Sequence, residues 1–175
     1  LVKFDGIKYN EPCPPTIDDR LFISKGVYPK AADNITPLSF GVTSSPELFA
    51  FFMSLPNIDI NARNVDGTTP LFHAYNSHFA LITLLKYKAL DINAQDDGGR
   101  TPLMYFISHR AQSTVIAAIL ARNDIDLSIK DKEGRNAIQY IDSKFDKDPK
   151  SLSNEEILDM YQDNPRPAYN TFAFN

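Results

Sequence analysis

The chain of 175 residues contains no tryptophan, one cysteine and only seven glycines. Because Cys13 cannot form an intrachain disulfide, the fold must depend on burial of apolar side chains, which make up 43% of the residues. A lone thiol fits a reducing compartment, so we expect the protein in the cytoplasm. No apolar run approaches the roughly 20 residues that cross a bilayer, so we expect no membrane partner. The net charge of −4 also disfavours nucleic acid, because phosphate groups are neutralised by clustered Lys and Arg.

Residues that form catalytic or metal centres are scarce and poorly spaced. Cys13 lies in a proline-rich stretch far along the chain from each histidine. His73 and His78 are five residues apart, which misses the i, i+4 spacing of helical metal-binding pairs. A short stretch that resembles a calcium loop has Asp96 where glycine is required and Pro102 where glutamate is required. We therefore expect a protein that is not an enzyme and binds no cofactor or metal.

An internal repeat dominates the rest of the sequence. The tripeptide Thr-Pro-Leu occurs at 36–38, 69–71 and 101–103, in steps of 33 and 32 residues, and a degraded copy follows 35 residues later at 136–138. A glycine turn precedes three of these copies, and an Asp-apolar pair precedes each turn. Three features that recur in one order at one period indicate a repeat architecture.

Each copy has the local signals of a helix pair. The Thr69 hydroxyl is expected to cap a helix, and Pro70 at the first helical position loses no hydrogen bond. A polar break at 76–78 then leads to a second helix with Leu81, Leu84 and other apolar residues at helical spacing. In the last copy, the second helix is expected to open at 153–156, where acidic residues favour a helix N-terminus.

On these motifs the sequence resembles the ankyrin-repeat family, whose period is about 33 residues. The resemblance implies an all-α solenoid of stacked helix-turn-helix units with β-turn tips. It covers repeats at 34–66, 67–98, 99–133 and 134–164, with an N-terminal extension and capping half-repeat at 1–33 and a tail at 165–175. The sequence departs from the family pattern where Ser39, Phe72 and Met104 replace the usual histidine.

The resemblance also implies which residues contact a partner, because the family binds through its turn tips and first helices. In this sequence these positions are Arg63, Val65, Asp66, Thr68, Asn76, Ser77, Gln95, Asp97, Arg100, Tyr105, Ser108, His109, Lys130, Lys132, Arg135 and Lys144. The tips become more basic towards the C-terminus, which predicts an acidic patch on the partner. The alternative is an ordinary solvated charge run.

An aromatic column occupies one equivalent place in the four repeats, at Phe40, His73, Tyr105 and Tyr140. The family has an apolar core residue at this place, so packing between repeats is favoured over binding. Tyr105 and Tyr140 can serve both purposes, with the ring buried and the hydroxyl exposed.

Residues 85–93 resemble the recognition pattern of the asparaginyl hydroxylase that modifies ankyrin proteins, with Asn93 as the target and Asn61 in a near match. Hydrogen bonds from these Asn side chains to nearby backbone, bracing their turns, are the alternative.

Together these features predict an adaptor that binds a partner protein and is a monomer by itself. Two other settings remain open: the targeting domain of a larger enzyme, or a secreted effector of an intracellular bacterium that acts in the host cytoplasm.

Overall fold

The computed structural model describes residues 35–143, 146 and 148–163. Within these residues the chain is all-helical and contains no β-strand. The predicted N-terminal extension and capping half-repeat at 1–33, the tail at 165–175 and Lys144 lie outside the described residues.

The described helices come in consecutive pairs. In chain order they are α1 (Pro37–Ser44), α2 (Pro46–Met53), the 3₁₀-helix η1 (Pro70–Asn76), α3 (His78–Leu85), α4 (Pro102–Ser108), α5 (Ser113–Leu120), α6 (Ala137–Ile141), the short 3₁₀-helix η2 (Pro149–Ser151) and α7 (Asn154–Asp163). The predicted start of the last helix is confirmed, since the Ser153 hydroxyl accepts a hydrogen bond from the Glu156 backbone N–H at 3.2 Å, as a helix N-cap does.

The helices form two rows. The first row is α1, η1, α4 and α6, in which each helix contacts the next, and the second row is α2, α3, α5 and α7. Within each pair, the first-row helix also contacts the second-row helix that follows it. Each pair therefore buries its apolar side against its neighbours, because two short helices alone cannot bury it.

One apolar core runs between the two rows. Its first-row members include the third residue of every Thr-Pro-Leu copy, and its second-row members lie at equivalent places: Leu38, Leu71, Leu103 and Ile138, with Phe49, Leu81, Ile116 and Ile157. All eight are buried. Burial of each such side chain contributes roughly 2 kcal/mol, so the repeated apolar positions supply the main stabilising term.

Three of the four first-row helices are capped as their sequences suggest. The Thr36 and Thr101 hydroxyls and the Asn136 side chain each accept a hydrogen bond from the backbone N–H three residues on. The prediction for Thr69 is wrong, because its hydroxyl makes no cap and has no hydrogen-bond partner. Since η1 is a 3₁₀-helix, the Phe72 N–H donates to the Thr69 backbone oxygen at 3.0 Å. This N–H is therefore not available to the Thr69 hydroxyl.

Candidate functional site

Three hairpin tips precede the last three first-row helices, at residues 64–68, 96–100 and 131–135. They are named the second, third and fourth tips after the repeats whose first helices they precede. In each tip the first backbone N–H donates to the last backbone oxygen, at 2.8, 3.0 and 2.9 Å. The three-residue loop ends on a glycine with φ of 77° at Gly67, 77° at Gly99 and 80° at Gly134. This backbone region suits glycine, which explains why the glycine turn recurs with the repeat.

Neighbouring tips are joined into one edge. The Asp97 N–H donates to the Asp66 backbone oxygen, and the Lys132 N–H donates to the Gly98 oxygen, both at 3.0 Å. Side chains span the same gaps. The guanidinium of Arg63 donates to the backbone oxygen of Gln95 at 2.7 Å. The side-chain amide of Gln95 in turn donates to the backbone oxygen of Lys130 at 3.1 Å. These two predicted contact residues therefore also hold the repeats together.

Asn61 and Asn93 bridge successive repeats. The Asn93 side-chain nitrogen donates to the Asp124 backbone oxygen at 2.7 Å, and its side-chain oxygen accepts from the Asp126 N–H at 2.9 Å. Asn61 makes the same two bonds to the backbone at 89 and 91, at 2.7 and 2.8 Å. The expectation that these amides brace their own turns is corrected, since the amide partners lie 28 to 33 residues away. Hydroxylation of Asn93 and Asn61 stays a prediction.

Two arginines at the tips are paired with buried carboxylates. Arg100 contacts Asp96 at 2.7 Å, and Arg135 contacts Asp131 at 2.8 Å, with the two aspartate side chains 2% and 0% exposed. Both aspartates also accept hydrogen bonds from the backbone of their own tip. These arginines therefore balance buried charges, and the part of each guanidinium left for a partner is preorganised.

A tyrosine also binds the carboxylate of the Arg135–Asp131 pair at the fourth tip. The Tyr140 hydroxyl donates to the Asp131 carboxylate at 2.6 Å. Burial raises the pKa of Asp131, but hydrogen bonds from Tyr140 and from the backbone and side chain of Arg135 outweigh that effect and lower it to about 2. Burial and the bond to Asp131 raise the pKa of Tyr140 to about 12. The group is therefore a fixed network whose members keep one protonation state near neutral pH.

Fewer unpaired cations remain at the fourth tip than its basic residues suggest. Arg135 is paired with both Asp131 and Glu133, at 2.8 and 2.9 Å. The remaining cations described there, Lys130 and Lys132, are exposed. At the second and third tips the exposed charges include Asp66 and Asp97 as well as Arg63. The row of tips therefore changes from mixed charge to basic, with Lys130 and Lys132 as its basic end.

An aromatic cluster lies on the first-row helices beside the tips. The Tyr105 and His109 rings are stacked with centroids 3.8 Å apart, and the Tyr75 ring lies 5.2 Å from His109 and 5.9 Å from Tyr105. The guanidinium of Arg100 lies 5.3 Å from the Tyr105 ring centre. His109 is exposed, and the two tyrosines are half-buried. The backbone oxygen of Tyr105, 2.9 Å from His109 Nδ1, can only accept, so Nδ1 carries the proton and Nε2 is left for a partner.

We define the inner face as the three hairpin tips together with this cluster of Tyr75, Tyr105, His109 and Arg100. The tips and the helices belong to one surface because Arg100 and Arg135 reach from their tips over Tyr105 and Tyr140, the latter at 4.7 Å. The sequence missed Tyr75, which does not align with the aromatic column. Its position six residues after Thr69, near the end of the first helix, was the available signal.

The other two members of the aromatic column are Phe40 and His73. Both are half-buried. His73 Nε2 lies 2.9 Å from the side-chain nitrogen of Asn64 and 3.2 Å from the Thr68 hydroxyl. His73 is therefore held by contacts with the tip before its helix, whereas the half-buried rings of Tyr105 and Tyr140 pack against the core and also border the inner face.

The remaining predicted contact residues differ in exposure. Val65 is 59% exposed, and Asn76 and Ser108 are exposed. Ser77 is half-buried, and its hydroxyl caps α3 by accepting from the Ala80 N–H at 3.4 Å. Thr68 is only 3% exposed, and its hydroxyl donates to Asp66 at 2.6 Å. Thr68 is therefore removed from the candidate contact surface.

The described residues contain no group of three or more His, Cys, Asp or Glu side chains that could hold a metal ion. In the same part of the chain, every helix is too short or too polar to cross a membrane. No protein-family model and no curated protein sequence matches this chain.

Proposed function

We propose that the chain is an ankyrin-type repeat module that binds a partner protein through the inner face. The repeat reading is supported by hairpin tips that recur with the Thr-Pro-Leu period and by helix pairs that stack in two rows. A module of this kind has neighbouring units that bury one another's apolar sides and leave one long side for recognition.

The observation that carries the proposal is the ring cluster of Tyr75, Tyr105 and His109 under Arg100. Tyrosine and arginine are enriched among the residues that contribute most to protein–protein binding. Here their side chains are already held by ring contacts and by the bond from Arg100 to Asp96 at 2.8 Å, so little side-chain entropy remains to be lost on binding.

The chemistry of the inner face favours a protein segment with two features. An apolar or aromatic side chain would pack on the exposed edge of His109 and Tyr75, and an acidic group would lie near Lys130 and Lys132. The lysines are exposed to solvent, so they contribute more to association rate and orientation than to affinity.

The test is capture of binding proteins from lysate by the intact chain and by variants, with quantitative mass spectrometry. His109→Ala removes the exposed ring of the cluster, and paired Lys130→Glu and Lys132→Glu reverses the basic end. A matched control reverses two exposed lysines just beyond the second-row helix α3, with Lys86→Glu and Lys88→Glu. We expect a specific partner to be lost or reduced with the inner-face variants and kept by the control.

Arg100 and Arg135 are unsuitable for this test. Replacing either one leaves a buried carboxylate without its cation, so a lost partner could reflect a destabilised fold and not a lost contact. Equal capture by the His109 variant, the paired lysine variant and the control would refute the inner face as the binding site.

A further inference from the structure

The 3₁₀-helix η1 (Pro70–Asn76) differs from its three α-helical counterparts in the first row. It runs for seven residues, although 3₁₀-helices longer than three or four residues are uncommon because their hydrogen bonds are poorly aligned. The hydroxyl of Thr69 at its start is buried without a partner. An α-helical form of the same segment would free the Phe72 N–H to donate to that hydroxyl, as the Met104 N–H donates to Thr101. A second, capped form of this segment is therefore available.

One side chain ties η1 to the tip before it. His73 Nε2 lies 2.9 Å from the side-chain nitrogen of Asn64, and the Asn64 side-chain oxygen accepts from the Thr36 N–H at 2.6 Å. An amide nitrogen can only donate, so Nε2 must accept, and His73 is neutral in this arrangement. Asn64 cannot turn over, because its NH₂ group would then face the N–H of Thr36.

Protonation of His73 removes this acceptor. The imidazolium would point an N–H at the donor group of Asn64, which Thr36 holds in place. The Thr68 hydroxyl oxygen, 3.2 Å from His73 Nε2, already accepts from that Asn64 group at 2.8 Å. Burial lowers the pKa of His73, and the nearby charge of Asp66 partly opposes that effect. Neutral His73 thus favours the observed arrangement, and charged His73 disfavours it.

The elements packed on η1 add few titratable groups around this site. Helix α1 has none, α3 has His78 at its exposed start, and α4 has Tyr105. Arg100 and His109 flank α4 on the Tyr105 side and interact with that ring. His73 is thus the titratable group that bonds directly to the Asn64 side chain.

We propose that η1 is a two-state segment controlled by pH, a 3₁₀-helix while His73 is neutral and an α-helix capped by Thr69 when His73 is protonated. The biological meaning of this inference rests on the proposed function, because η1 carries Tyr75 of the inner face. Conversion from three to 3.6 residues per turn would rotate Tyr75 relative to Pro70 by roughly 100° and shorten the segment by roughly 3 Å. The Tyr75 ring would then move away from the rings of Tyr105 and His109. Acidification would therefore break the ring contacts of the cluster.

The test is NMR spectroscopy of the intact chain from about pH 8 to about pH 5, across the titration range of histidine. At residues 70–76, we expect nuclear Overhauser contacts between backbone hydrogens of residues two apart, typical of a 3₁₀-helix. As His73 titrates, contacts between residues four apart, typical of an α-helix, should replace them. His73→Gln keeps a neutral acceptor and should hold the 3₁₀ pattern throughout. His78→Gln, at the exposed start of α3, is the matched control and should keep the transition. Thr69→Val removes the proposed cap and should move the transition to lower pH.

The inference is overturned if residues 70–76 keep the 3₁₀ pattern after His73 has titrated, or if His73→Gln shows the same transition. Global unfolding that accompanies His73 titration, with no earlier change at 70–76, would also overturn it. These measurements require no partner. A chain that shows the transition but loses no partner with the inner-face variants would refute the binding proposal alone.

Discussion

Thr69 and Thr101 begin equivalent first-row helices, but only the Thr101 hydroxyl accepts a hydrogen bond, from the Met104 N–H at 3.4 Å. The two residues share the same following Pro-Leu and are both buried. The pair therefore separates the contribution of a helix cap from that of a buried threonine.

Thr101→Val should lower the free energy of unfolding by about 1 kcal/mol, because it removes a cap and keeps the side-chain shape. Thr69→Val should leave the free energy unchanged or raise it, because the hydroxyl that it removes has no partner. Denaturant unfolding at neutral pH measures both. A loss for Thr69→Val as large as that for Thr101→Val would mean that the Thr69 hydroxyl is bonded.

The tip glycines provide a test of the contact between tips. Gly99→Ala and Gly134→Ala both place a side chain at positive φ, which costs roughly 1–2 kcal/mol. A Cβ at Gly99 would also lie 3.0 Å from the backbone nitrogen of Lys132, whereas one at Gly134 meets nothing within 4 Å. We expect Gly99→Ala to be the more destabilising by at least about 1 kcal/mol, measured by urea unfolding. Equal losses would contradict the close approach of the third and fourth tips.

Removal of one inter-repeat bridge should have a measurable cost. Asn93→Ala removes two hydrogen bonds to the backbone of the next repeat and should lower the free energy of unfolding by about 2 kcal/mol. Ser128 takes the equivalent place in the next repeat, and its hydroxyl donates to Asp126 within its own loop. Ser128→Ala is the control and should cost less than about 1 kcal/mol. Amide hydrogen exchange should show lost protection at the Asp126 N–H in the Asn93 variant.

The Asp131 network predicts how stability depends on pH. The pKa of Asp131 falls from 3.8 to about 2 in the folded chain, so the folded state binds fewer protons than the unfolded state between these values. Its stabilising contribution is present above about pH 4 and is lost as the pH falls towards about 2. Tyr140→Phe removes one of the bonds that lower this pKa and should move acid unfolding to higher pH. Thermal unfolding across this range provides the measurement, with exposed Asp97→Asn as the control.

The sequence predicted the positions of the helices because its signals are local. Pro37, Pro70 and Pro102 each begin a first-row helix, and the leucine after each is buried. The type of the second of these helices could not be predicted, because the same Thr-Pro-Leu begins α1, α4 and the 3₁₀-helix η1. One contact of η1 that the sequence does not reveal is between His73 and Asn64, because it depends on tertiary packing.

The candidate site was predicted less completely than the fold, and the reason is again packing. The exposure of His109 and the lysines follows from their place at the ends of tips and helices. The pairing of Arg135 with Asp131 and the burial of Thr68 depend on how each hairpin closes on itself. Tyr75 joins the cluster because η1 packs against α4, a contact that the spacing of the aromatic residues along the sequence does not reveal.

Photo-crosslinking from single positions tests the central claim most directly. A photoreactive residue would replace either exposed Asn76, which ends η1 beside the cluster, or exposed Thr114, which lies in the second-row helix α5. If the inner face binds the partner, the residue at 76 should capture one protein that the residue at 114 does not. Capture of the same protein from 114 alone, or equally from both positions, would contradict the account.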